Sequence, residues 1–467
     1  MEWDEATNFQ ATGDVNTGLP PHLAGSPRAK TTDQRLMARR NKVAEAVQKE
    51  TADEIKILKA RTDYIPRYDY FLDLLEQGQA KCLAQIDKPV LAFLCQIAPL
   101  ELIEAHGFHP FRLRGGHQAA ERMSAPNLPA VMCPMLRSLL GELSINPLGE
   151  GYPLAGFVLP TMCDWTVKFG GMAKLCGLEV KKLHMIDAPR LKHGPHSTES
   201  WLKQTYSLND FLAHLSGGTP RKEKLAEAVD LYREAYLAFS NLIDLKRRAI
   251  LPQIWFSTIC GSFLHDTTQN WTKMVNKVLD SFNCLKAEAN SSTAGSATTG
   301  SSTYSSSTTG SSTTANSTNG KIFLAGSPIF FPDFKILHLL EEADLTTVID
   351  DLCSSERILP DPVHITDRSF FGLISALSQR YQLGCRCPTF ADPSHIFQGV
   401  ENPFDHPIFQ GVVFHVLKGC HLFDLKSLAV EPNVKEMGLR YLRLETDYAK
   451  EDRGALLTRL EAFRGTL

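Results

Sequence analysis

The chain has 467 residues, 43% hydrophobic and 22% charged, which is ordinary for a globular protein and enough apolar surface for two or three cored domains. A formal charge of −3 speaks against a broad phosphate-binding face, so no nucleic-acid partner is expected. No apolar run is long enough to span a bilayer, and the acidic opening Met1-Glu2-Trp3-Asp4-Glu5 lacks the apolar core of a secretory signal; a cytoplasmic protein with reduced thiols and no membrane contact is expected.

Residues 1–51 mix Gly, Pro, Asn and Thr with a basic cluster at Arg28, Lys30, Arg39, Arg40 and Lys42, and are expected to form a disordered arm. Residues 52–206 read as a helical lead-in and an alternating α/β domain, with strands at 89–94, 156–160 and 181–186. Cys95 ends the first strand and Cys163-Asp164 follows the second. Cys133-Pro134 opens a helix, since proline is well tolerated in a first helical turn. Residues 207–289 read as a helical layer. Residues 290–320 are almost entirely Ser, Thr, Gly, Ala and Asn; such a segment cannot bury enough surface to offset its ordering entropy, so a flexible insertion is expected. A second α/β domain fills 321–467, with strands at 321–326, 346–350, 411–417 and 439–445. Cys353 and Cys420 lie just past two of these, and Cys385-Arg386-Cys387 lies between them. The fold class expected is α/β: two flavodoxin-like (Rossmann-like) parallel-sheet domains with a helical layer between them.

In open α/β sheets ligands gather beyond the carboxyl ends of strands, where Cys95, Cys163, Cys353 and Cys420 map. One cysteine there is ordinarily a small buried hydrophobe. Its repetition at four strand ends, with Cys133 and the Cys385/Cys387 pair, points to soft thiolate ligands closing on one inorganic centre between the domains. One of Cys385 and Cys387 is expected to bind. The absence of any Cys-x-x-Cys knuckle weighs against structural zinc. Cys82, Cys176, Cys260 and Cys284 fall in helical patterns or turns and are assigned to packing. Glu101 is a candidate acid or base, against the alternative of a solvated first helical turn. His421 is a candidate proton donor, against a helix cap. Lys168 and Lys418 are candidate cofactor-binding cations, against plain surface lysines.

The stretches VVFHVLKGCH at 412–421 and LETDYAKEDRGALLTRLEAF at 444–463, with MCP at 132–134 and TMCDWTVK at 161–168, resemble the 2-hydroxyacyl-CoA dehydratase and benzoyl-CoA reductase family from about Lys88 onward. The resemblance implies an oxygen-sensitive [4Fe-4S] cluster held by Cys133, Cys163 and Cys420 with one iron left open. It also implies an ATP-dependent iron–sulfur activator protein, a homodimer or a heterodimer with a related subunit, and a hydro-lyase removing water from a 2-hydroxyacyl-CoA (acyl-CoA substrate) through a ketyl radical. The contexts of Cys95, Cys353 and Cys385 or Cys387 look like those of the family's double-cubane branch. They imply as alternatives a homodimeric [8Fe-9S] reductase passing low-potential electrons to small molecules, or a non-catalytic electron-carrier or scaffold subunit. The arm and the Ser/Thr insertion have no counterpart in the family.

Overall fold

Apolar runs such as Val90-Leu91-Ala92-Phe93 are buried along their whole length, the environment of a parallel sheet with helices on both faces. A computed structural model describes residues 27–145, 154–176, 178, 182–293, 320–359, 361–390 and 408–467. Helices α1 (Pro27–Lys59) and α2 (Asp69–Ala84) lead into β1 (Val90–Phe93), α3 (Leu100–Ala105), β2 (His109–Arg112), α4 (Gln118–Ser124) and α5 (Pro134–Ile145). Then come β3 (Leu154–Pro160), α6 (Asp164–Val167), α7 (Phe169–Leu175) and β4 (Leu183–Ile186). These four strands are all parallel, in the order β2-β1-β3-β4. Helices α8 (Ser197–Ser216), α9 (Lys222–Arg247), α10 (Gln253–Ser262) and α11 (Thr268–Thr293) follow.

The second half repeats the plan: β5 (Lys321–Gly326), α12 (Lys335–Glu342), β6 (Thr346–Asp351), α13 (Phe370–Leu383), β7 (Gly411–Leu417), α14 (His421–Glu436), β8 (Arg440–Thr446) and α15 (Arg453–Arg464). Its strands are again all parallel, in the order β6-β5-β7-β8. The protein is thus an α/β fold of two domains. Alternate residues of each sheet feed different cores. Leu91 and Phe93 of β1, with Leu324 of β5 and Val413 of β7, join one continuous core with α9 and α10 between the sheets. Val90 and Ala92 face a separate core over α5, and Val412 and Phe414 face a third over α14.

Three expectations are corrected. Strand β2 was not foreseen, because Pro110 interrupts its pattern; as the edge strand of its sheet it tolerates a residue without an N–H. Helix α1 begins at Pro27, inside the segment expected to be a disordered arm. Its Thr51, Glu54, Ile55 and Leu58 are buried at helical spacing, and Arg39 donates to the Met123 carbonyl at 3.2 Å, so packing on the first domain holds it. Residues 1–26 of that arm lie outside the described residues. Helix α11 takes in 290–293 of the expected insertion, and 294–319 lie outside the described residues. Among the described residues no helix is long and apolar enough to cross a membrane.

Lys246 of α9 is fully buried, with its ammonium 2.5 Å from Asp350 Oδ2 and 2.6 Å from Glu356 Oε1, and it lies over the Phe256 ring. Removing one member of such a set leaves buried charge uncompensated. We expect Lys246→Met to lose about 3–5 kcal/mol of stability, read as a lowered denaturant midpoint at unchanged slope.

Candidate metal centre

Both sheets reverse their strand order between the first and third strands, and the crevice opens outside those carboxyl ends. Cys95 follows β1, Cys163 follows β3, Cys353 follows β6 and Cys420 follows β7. Three of the thiols sit at helix N-termini. Cys133 immediately precedes α5, with its sulfur facing the N–H groups of Met135 and Leu136; Cys163 precedes α6, facing those of Trp165 and Thr166; Cys420 precedes α14, facing that of Phe423. Backbone N–H groups at a helix start favour a thiolate.

Gly419 draws these loops together. Its φ is +74° and a Cβ there would stand 2.3 Å from the Val131 carbonyl oxygen, so the Cys420 loop lies directly on the Cys133 loop. The Trp165 indole donates to the Gly419 carbonyl at 3.3 Å, tying in the Cys163 helix. Cys133, Leu417 and Tyr448 form a small buried cluster against Met135, Trp165 and Cys420, and the Tyr448 hydroxyl donates to the Gly115 carbonyl at 2.9 Å. The Cys133 thiol hydrogen-bonds to Cys420, which draws Cys420 below the usual thiol range and, with burial, holds Cys133 above it. Burial pushes Cys163 up, opposed by its bonds from Thr166.

The other four thiols line one cavity of about 640 Å³ between the domains: Cys95, Cys353, Cys385 and Cys387. Burial raises Cys95, and the neighbouring thiols Cys163, Cys353 and Cys385 raise it further. Burial likewise raises Cys385 and Cys387. Cys163 lies electrostatically between the two groups: its charge raises Cys95, and that of Cys420 raises Cys163. Arginines face the four-thiol cavity. Arg112 donates to Cys353 Sγ at 3.2 Å and to the Cys353 carbonyl. Arg357 and Arg386 each stand 3.4 Å from Asp351 Oδ1. Arg357 Nε and Nη2 are buried without a hydrogen-bond acceptor, beside Cys353, Cys385 and Cys387.

The donor set fits a polynuclear iron–sulfur group. Among the described residues no three His, Cys, Asp or Glu side chains crowd closely enough to hold a single metal ion. Thiolates around a cluster bind different irons and stand farther apart than the ligands of one ion. Arg357 Nη2, buried without a hydrogen-bond acceptor while Nε faces Asp351, is a donor of the kind that hydrogen-bonds to cluster sulfur.

Cys385 and Cys387, treated from sequence as alternatives, line the same cavity. Glu101 is neither solvated nor open to a substrate. It is 1% exposed and held by Arg380 and by the Tyr381 hydroxyl at 2.9 Å, so it braces two residues of the cavity wall. His421 is exposed at the first residue of α14. Lys168 and Lys418 are exposed and paired with Asp164 at 2.7 Å and Asp447 at 2.8 Å. None of these three lines the thiol cavity. Cys82, Cys176 and Cys260 are buried in packing, and the Cys284 side chain lies outside the described residues. Sequence reasoning missed Arg112, Arg357 and Tyr381. The first lies in the unread strand β2, and nothing in the local sequence marks the others.

Residues 95–467 match the family described as 2-hydroxyglutaryl-CoA dehydratase, D-component; the match begins at Cys95. A protein of Escherichia coli (strain K12) named "Putative dehydratase subunit YjiM" is 22% identical over 407 residues, 86% of this chain and 98% of that protein.

The close approach at Gly419 is testable against Gly438, whose φ is +73° with nothing within 4 Å of a Cβ. Gly438→Ala pays backbone strain alone, about 1–2 kcal/mol. Gly419→Ala adds a clash with Val131, so its melting temperature should fall well below that of Gly438→Ala; equal losses would show that loop contact does not require the glycine.

Proposed function

Because this chain belongs to the 2-hydroxyglutaryl-CoA dehydratase D-component family, we propose that it is an iron–sulfur subunit of a dehydratase-type enzyme, with Cys133, Cys163 and Cys420 as the ligands of a [4Fe-4S] cluster. The reaction is elimination of water from a 2-hydroxyacyl-CoA through a ketyl radical on the substrate. One low-potential electron from an ATP-hydrolysing iron–sulfur activator starts it, and the subunit works as a homodimer or beside a related subunit in a reducing, cytoplasmic compartment. The observation that carries the reading is the meeting of the Cys133, Cys163 and Cys420 loops at Gly419 and Trp165, with four more thiols lining a cavity of the same crevice. When bound, the cluster supplies a one-electron carrier and a Lewis-acidic iron.

The chain's own part is placement and charge. The N-termini of α5, α6 and α14 present N–H groups to the three thiolates. Thr166 locks the Cys163 turn, accepting from the Cys163 N–H at 3.0 Å and donating to its carbonyl at 2.8 Å. Trp165 and Tyr448 wall the site with apolar surface and exclude water. Arg112 fixes the Cys353 loop against β2.

A second reading is favoured by the four-thiol cavity. There Cys95, Cys353, Cys385 and Cys387 are additional ligands, Arg112 and Arg357 donate to sulfur, and the protein is a double-cubane [8Fe-9S] reductase of small molecules. Iron and acid-labile sulfide per chain, measured after anaerobic purification, separate the two. About four irons supports the dehydratase reading and about eight the reductase. Cys163→Ser should lower iron content in either case, whereas Cys353→Ser should lower it only in the reductase. A chain that binds no iron, or zinc alone, sinks both.

A further inference from the structure

A second cavity, of about 450 Å³, lies between α1, α2 and α5, away from the strand ends that carry the cysteines. Helix α2 is broken beside it: Gly78 has φ 73° and ψ 169°, and Gln77, Gly78 and Gln79 border the space. Much of the wall is apolar, from Val47, Leu75, Leu143, Ile145 and Phe331. It shares no lining residue with the thiol cavity, and a void of about 20 Å³ bordered by Gln96, Arg112 and Arg114 lies between the two.

Arg114 also lines this cavity and is 8% exposed. Its guanidinium donates to the Gly261 carbonyl and, at 2.5 Å, to His265 Nε2. His265 Nδ1 stands 3.2 Å from the Ser262 carbonyl, the geometry of a donor, which leaves Nε2 as an acceptor on a neutral ring. Burial and the Arg114 charge keep that imidazole neutral. Both partners of the guanidinium are therefore uncharged. No carboxylate among the described residues forms an ion pair with Arg114. Glu142, the acid acting on it, is itself engaged by His117 at 2.8 Å and Ser138 at 3.2 Å. The other buried arginines of the crevice have such partners: Arg380 has Glu101 and Arg357 has Asp351. Burying a cation with no counter-charge is costly, and three of the five guanidinium N–H groups remain for another acceptor, about what a carboxylate can use.

We propose that this cavity binds a small organic carboxylate with an apolar body, the carboxylate paired with Arg114 and the body against Leu75, Leu143 and Phe331. The volume is that of a small-molecule site; Lys81, Glu76 and Glu142 also border it, and a buried guanidinium beside apolar walls selects an anion with a hydrocarbon part over a free polyanion, which the two carboxylates repel. The site is independent of any iron, so its test needs no turnover.

Calorimetry and thermal melts on the full chain with submicellar sodium octanoate read the proposal. Octan-1-ol supplies the body without the charge, and sodium phosphate the charge without the body. Octanoate should bind and raise the melting temperature, with octan-1-ol and phosphate weaker by about tenfold or more. Arg114→Gln should weaken octanoate by about tenfold or more. Ala52→Trp, at an exposed position of the cavity mouth, should do the same with Arg114 intact, and it decides the question if Arg114→Gln does not fold. Absence of octanoate binding to the unaltered chain, unchanged affinity in the variants, or phosphate binding as tightly as octanoate would overturn it.

Discussion

The buried ion set around Lys246 is the constraint on which the crevice rests. A fully buried ammonium is tolerated only where carboxylates compensate it, and here both come from the short stretch after β6: Asp350 and Glu356. Asp350 also accepts from the N–H groups of Leu352 and Glu356 and from the Ser355 hydroxyl, and these bonds with Lys246 hold it below the usual carboxylate range against burial. Glu356 reaches back to the Asp350 N–H and outward to Arg247 at 3.1 Å. The turn at 351–355 is therefore closed on itself and pinned to α9. Cys353 sits on that turn, so its position relative to the first domain is set by a helix that packs against α3 as well as β6.

From that fixed turn the convergence of the thiols follows from topology. Two sheets of the same strand order face each other across α9 and α10, and each carries its loops at the carboxyl ends of the strands. Loops from β1, β3, β6 and β7 meet in one crevice, and those after β1, β3 and β7 are short. Glycine supplies the last ångströms twice. Gly419 permits the contact with Val131, and Gly326, at φ +114°, lies so close to His415 that a Cβ would stand 1.9 Å from its carbonyl oxygen. The second contact lets Ser327 Oγ accept from the Leu417 N–H at 3.0 Å, steadying the strand end that leads to Cys420.

Much of this was legible in the chain. Strands such as β5 and β7 announce themselves because, Lys321 and His415 apart, their residues are apolar or small and both faces are buried, and cysteines at strand ends stand out by residue type. What stayed hidden was whatever depends on a distant partner. Lys246 reads as one more lysine on a long helix until Asp350 and Glu356 are placed against it. Glu101 reads as a solvated helix start, yet α13 brings Arg380 and Tyr381 over it. Arg112 was lost with β2, whose proline suits a sheet edge that no local pattern could identify.

The seven cysteines occupy two different electrostatic surroundings, and that difference bears on what the larger cavity receives. Cys133, Cys163 and Cys420 face backbone N–H groups at helix starts, which supply partial positive charge in fixed directions. Cys95, Cys353, Cys385 and Cys387 share a cavity with full guanidinium charges, two of them beside a single carboxylate, Asp351. Burial pushes Asp351 up to about 6 despite those arginines; it is mostly ionised near neutrality, but it is one carboxylate between two guanidiniums. A neutral acyl chain in that space would leave the buried Nη2 of Arg357 without an acceptor and gain nothing from the guanidinium charge. An occupant rich in thiolate and sulfide would accept those bonds and balance the arginines. By this charge argument the four-thiol cavity is better matched to an anionic occupant that accepts hydrogen bonds than to the hydrocarbon part of a substrate.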